Sequence, residues 1–165
     1  MKKNIVLLCL EKNYSRNFGK KLADNLEMFF VDVNDILEYN LINNQMLESA
    51  GKVYFEKEKR KVIAGFADYE NAIFCGSFEL FSQNNNLEHL KNSSVITYLR
   101  LEKDEIQNLQ IGDDMLRLML AFDAEDEFCQ KNSDVVANVN SNYENSVDIV
   151  KQALKNFYSK TENQK

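Results

Sequence analysis

Asn4-Ile5-Val6-Leu7-Leu8-Cys9-Leu10-Glu11-Lys12-Asn13-Tyr14-Ser15-Arg16-Asn17-Phe18-Gly19-Lys20-Lys21-Leu22-Ala23 runs from an unbroken apolar segment, through a polar turn, into apolar residues at helical spacing. Continuous Ile5 to Leu8 is the pattern of a strand buried on both faces, which places it centrally in a parallel sheet. Phe18, Leu22 and Leu26 return every four residues and predict a helix over 16–27. The order is therefore strand, loop, helix, with the loop expected over 9–17.

The same alternation continues outward. Strands are expected at Met28 to Val33, Asn71 to Gly76, Ser94 to Leu99 and Asp134 to Val139. Helices are expected at 35–39, 45–50, 53–66, 102–109, 113–122, 124–132 and 145–158, with a short one near His89. Strands alternating with helices imply an α/β fold of three α/β/α layers, the sheet parallel and its crossovers right-handed. No repeat or linker interrupts 1–158, which is read as one domain, and 159–165 as a polar C-terminal tail. The charged run Glu56-Lys57-Glu58-Lys59-Arg60-Lys61 is read as a solvated helix face.

Composition narrows the function. The chain has 165 residues and a formal net charge of −6, which argues against a nucleic-acid partner because no basic face is available to displace counterions. No apolar run is long enough to span a bilayer, and the first residues reach charge too soon for a secretory signal, so a cytoplasmic location is expected. Cys9, Cys75 and Cys129 are widely separated, without companion histidines, and are read as buried small residues rather than a disulfide or zinc set. His89 is alone and is read as a surface residue.

Three stretches give the chain a family resemblance: Ile5 to Ala23; Met28-Phe29-Phe30-Val31-Asp32-Val33-Asn34; and Gly51 to Ile63, including Phe55-Glu56-Lys57-Glu58-Lys59. In order and spacing they resemble the shikimate kinase family of small P-loop kinases, over about Lys3 to Phe157. The resemblance implies a five-stranded parallel sheet, ATP and magnesium as cofactors, and transfer of the ATP γ-phosphate to shikimate in aromatic amino acid biosynthesis. It also implies where each functional group belongs. The motif G-x-x-x-x-G-K-[ST], whose glycines let backbone N–H groups close on phosphate while its lysine and hydroxyl serve phosphate and magnesium, falls on Cys9, Tyr14, Ser15 and Arg16. Every element of it is replaced. Lys12, Ser15 and Arg16 are what this degenerate phosphate loop could offer a nucleotide.

The family's D-x-D pair falls on Asp32 and Asn34, so Asp32 matches the catalytic, magnesium-side acid and Asn34 a substrate-side residue that can bond a hydroxyl. The arginine that clamps the shikimate carboxylate falls on Glu56, an inversion of charge. A glycine triplet near the substrate is reduced to Gly76, and Arg117-Leu118-Met119-Leu120 resembles a lid whose arginine would cover the transferred phosphate, although the stretch bearing it is shorter. Phosphoryl transfer depends on positioning and charge neutralisation, so these losses point to a non-catalytic, pseudokinase-type scaffold or binding domain with no cofactor. A divergent kinase using Lys12 or Arg16 with Asp32, Arg117, Asn34 and Gly76 is the alternative. A protein partner or a homo-oligomer is left open.

Overall fold

The computed structural model describes residues 4–83, 85–109 and 114–163. β1 (Asn4–Leu8) is buried along its whole length, as its unbroken apolar run requires. It leads into α1 (Lys12–Leu26), which ends at Glu27 with a left-handed φ of 53°. β2 (Phe29–Asp32) passes directly into α2 (Val33–Tyr39). Then come α3 (Asn44–Ala50) and α4 (Lys52–Gly65), hinged on Gly51. β3 (Ala72–Cys75) is followed by α5 (Phe78–Ser82) and a 3-10 turn over Asn86–His89. The chain closes with β4 (Ser94–Arg100), α6 (Lys103–Leu109), α7 (Asp114–Asn132), β5 (Val135–Asn138) and α8 (Tyr143–Glu162).

The strands form one five-stranded sheet in the order β2-β3-β1-β4-β5, and each adjacent pair is parallel. β1 is central, with Ile5 opposite Ile73 on one side and Val95 on the other. Asn4 pins this register at the bottom of the sheet. Its fully buried amide donates to the Tyr69 carbonyl at 2.6 Å and accepts from the Ala72 N–H at 3.0 Å. β5 lies at an edge and alternates buried and exposed residues, so the fold is the three-layer α/β/α arrangement expected from sequence.

Several boundaries differ from the periodicity. α1 begins at Lys12, four positions before the expected Arg16, so the connection after β1 shortens to Cys9–Glu11. The helices expected over 113–122 and 124–132 are one continuous α7, with Asp113 itself outside the described residues. The polar segment from Ser159 is exposed, but α8 continues through it to Glu162. α5 was not anticipated, being only five residues long. The three cysteines are buried as expected, and burial pushes the Cys9 and Cys75 thiols up to about 12, far from the thiolate form needed for nucleophilic chemistry.

Candidate functional site

The C-terminal ends of β1, β2 and β3 bring together the residues singled out from sequence, at the edge where open α/β sheets bind ligands. Glu11 caps α1: its carboxylate accepts from the Asn13 N–H at 3.1 Å and from the Tyr14 N–H. It is 2% exposed. Lys12 is therefore the first residue of a helix and Arg16 lies one turn further on, rather than in an irregular basic loop. Tyr14, at a position where the motif has glycine, points into the core. Its hydroxyl donates to the Asn140 carbonyl at 2.7 Å, and its ring packs between Phe18 and Tyr143 at centroid distances of 5.8 and 5.1 Å. Burial raises the Tyr14 phenol well above its ordinary value, so it stays a neutral donor. Ser15 is buried beside it, its hydroxyl without a hydrogen-bond partner among the described residues.

Asp32 ends β2 and caps α2, accepting from the Asn34 N–H at 2.9 Å and the Asp35 N–H at 3.4 Å. Arg16 reaches across to it: Nε lies 3.5 Å from Asp32 and the guanidinium contacts Asp35 at 2.5 Å. Asn34 and Gly76 meet each other. The Asn34 amide oxygen accepts from the Ser77 N–H at 2.9 Å, and a Cβ on Gly76 would lie 3.3 Å from that oxygen and 3.2 Å from Phe81. The glycine thus permits the strand ends to pack.

Beside these strand ends lies a cleft of about 660 Å³ between α2, α3, α4 and the start of α5. Amide side chains dominate it (Asn34, Asn43, Asn44, Gln45 and Gln83), with carboxylates from Asp35, Glu38 and Glu79 and ammonium groups from Lys12 and Lys59. Lys59 was expected on a solvated face. It is instead 9% exposed, bonded to Glu56 at 2.8 Å and set over the Phe55 ring at 5.1 Å. Glu56 is paired to Lys59 one turn along α4, and it is Lys59 that lines the cleft.

A smaller cavity of about 280 Å³ adjoins the turn after β1 and holds both Lys12 and Arg117. Arg117 on α7 is 57% exposed at its side chain and shared by Glu79 at 2.8 Å and Glu125 at 3.7 Å. Burial drives the Glu125 carboxyl upward. Among the described residues no cluster of three or more histidines, cysteines or carboxylates could hold a metal ion, and no helix is long and apolar enough to cross a membrane.

Sequence reasoning missed Glu11, Lys59 and a network on the far side of β1. There Asp126 of α7 accepts from Tyr98 at 2.8 Å, Arg100 at 2.9 Å and Gln130 at 2.8 Å. The signal for Glu11 was an acid directly before a helix start, disguised because glutamate is not among the usual capping residues. Lys59 could have been found from its i,i+3 spacing to Glu56.

A family model described as shikimate kinase matches residues 16–159. Its match starts at Arg16, beyond the turn capped by Glu11. A shikimate kinase of Sulfurihydrogenibium sp. (strain YO3AOP1) is 27% identical over 99 residues, 59% of this chain and 60% of the relative, so the chain spans less than two thirds of that protein. A shikimate kinase of Thermoanaerobacter pseudethanolicus is 27% identical over 121 residues, 72% of this chain and 71% of the relative. The crystal structure of shikimate kinase from Bacteroides thetaiotaomicron superposes with a TM-score of 0.75 at 18% identity, covering 93% of this chain and 98% of that one, a likeness of fold.

Proposed function

The chain belongs to the shikimate kinase family, and from that premise we propose that it is a non-catalytic member, a binding domain built on the kinase fold. One observation carries this reading: the groups that would serve nucleotide and metal are spent on each other. Arg16 lies against Asp32 and Asp35, while Asp32 also holds two backbone N–H groups of α2. Asp32 already has a cation and two N–H groups beside it and Arg16 two acids, so binding magnesium or phosphate there would have to compete with these contacts. Ser15 replaces the motif lysine and is buried, so it neither reaches a phosphate nor supplies charge. The residues present do not fit ATP and magnesium.

What the chain's own residues do is bind. The 660 Å³ cleft is lined by amides, of which Asn34 and Asn43 are partly engaged within the protein while Asn44, Gln45 and Gln83 face it, with Lys59 held by Glu56 as a largely covered cation, a lining suited to a small hydroxylated ligand. The free thiols, held neutral by burial, accord with a reducing compartment, and we place the protein in the cytoplasm. A second reading, a divergent kinase, is favoured by one observation: Lys12 and Arg117 share one cavity.

Thermal unfolding during titration with Mg-ATP and, separately, with shikimate tests the proposal. No saturable rise with Mg-ATP is expected. A saturable rise with Mg-ATP, enlarged by shikimate, would move the protein to the divergent kinase.

A further inference from the structure

The charges along the 660 Å³ cleft are compensated within the protein. Asp35 is bound to Arg16 at 2.5 Å, Glu79 to Arg117 at 2.8 Å and Lys59 to Glu56 at 2.8 Å. Of the other two charged side chains there, Glu38 accepts from the Asn43 amide at 3.1 Å, and Lys12 is exposed, so that water weakens the pull of its ammonium. These two are of opposite sign. Arg16 and Arg117 also serve a second acid each, Asp32 at 3.5 Å and Glu125 at 3.7 Å, so any imbalance around the cleft is negative. Among the described residues lining it, a carboxylate would meet no cation that is both covered from water and uncommitted.

The uncharged part of the lining offers donors and acceptors together. Asn44, Gln45 and Gln83 each carry both. A hydroxyl can satisfy both, whereas a carboxylate only accepts and would turn its lone pairs on the amide oxygens. Leu37, Ile42 and Leu80 are buried, and with Phe55 they give the same cleft an apolar wall that suits the C–H face of a ring. We infer that the cleft receives an uncharged cyclic polyol and turns away the carboxylate-bearing form of such a ring. The inference rests on the reading that this cleft is the binding site, and it adds the charge of the ligand. Glu56 sets the selection against the anion, because its ion pair neutralises Lys59, the largely covered cation of the lining.

Shikimate and its methyl ester form a matched pair that differs in one charge and one methyl group, and myo-inositol is a second uncharged probe. Calorimetric titration of the whole protein should show saturable binding of at least one uncharged probe. Shikimate should bind roughly tenfold or more weakly, the cost of desolvating a carboxylate that finds no free cation. Added salt should leave the affinity for the uncharged probe unchanged. Glu56→Gln keeps the size of the side chain and releases Lys59, so it should strengthen shikimate and narrow the difference. Gln45→Ala and Gln83→Ala, at exposed positions of the lining, should weaken the uncharged probe. Shikimate binding as tightly as the uncharged probes would overturn the inference, as would binding of none of the three up to about 10 mM. So would an unchanged ratio in Glu56→Gln, or unchanged affinity for the uncharged probe in both glutamine variants. If Glu56→Gln does not fold, the wild-type ratio and the glutamine variants decide. A saturable response to Mg-ATP would overturn the non-catalytic reading, whereas a preference for shikimate over its ester would overturn only the charge given to the ligand.

Discussion

At the scale of single residues, the site is defined by what each polar group already holds. Asp126 shows the same economy away from the site. Burial alone would raise its carboxyl, but hydrogen bonds from Arg100, Tyr98 and Gln130 outweigh that and hold it below the ordinary carboxylate range. A folded pKa lower than the unfolded one contributes stability that is present above the unfolded value, near 4, and lost as pH falls through the folded value. Asp126→Asn should therefore cost about 1 to 3 kcal/mol in urea unfolding at pH 7, and the gap from wild type should narrow by pH 3. A gap that stays constant would mean the charge contributes nothing. Sequence legibility at this scale was uneven. Asp32 ends β2, Asn34 lies in the first turn of α2 just beyond it and Gly76 follows β3, places legible because strand ends are fixed by apolar runs. The roles of Glu11 and Lys59 depend on which way a flexible side chain turns, which spacing alone does not set.

Among elements, α1 was read four residues too short because its first turn carries Lys12, Asn13 and Ser15 in place of an apolar stripe. Its buried face there is Tyr14 and Ser15, held by a cap rather than by periodicity. α4 illustrates the opposite case, since its start was legible from Gly51. That residue adopts φ 83° and ψ 161° between α3 and α4, a region costly for any residue with a Cβ. A Cβ there would meet nothing within 4 Å, so the cost of Gly51→Ala is one of backbone strain alone. We expect a loss of about 1 to 2 kcal/mol in urea unfolding, with the m-value unchanged. No loss would show that the α3–α4 hinge relaxes to a negative φ. The apolar strands β1, β3 and β4 were legible because a parallel sheet buries them on both faces.

Across the whole molecule, the fold is that of the shikimate kinases, with a cleft and a capped helix start at the C-terminal ends of its strands. The cleft beside α2, α3 and α4 remains open and polar. At the end of β1, Glu11 sits on the first amides of α1, and Arg16 is bound to the acids of β2 and α2. The layer architecture was legible from alternation of strand and helix. That Tyr14 reaches Asn140 and Arg16 reaches Asp32 was not legible, because such contacts join residues distant in sequence. The most direct test of the non-catalytic reading is release of ADP from Mg-ATP with shikimate present, followed at high enzyme concentration for wild type and Asp32→Ala. The account predicts the same background rate for both proteins, independent of shikimate. A rate that saturates with ATP and with shikimate, and is abolished in Asp32→Ala, would contradict it.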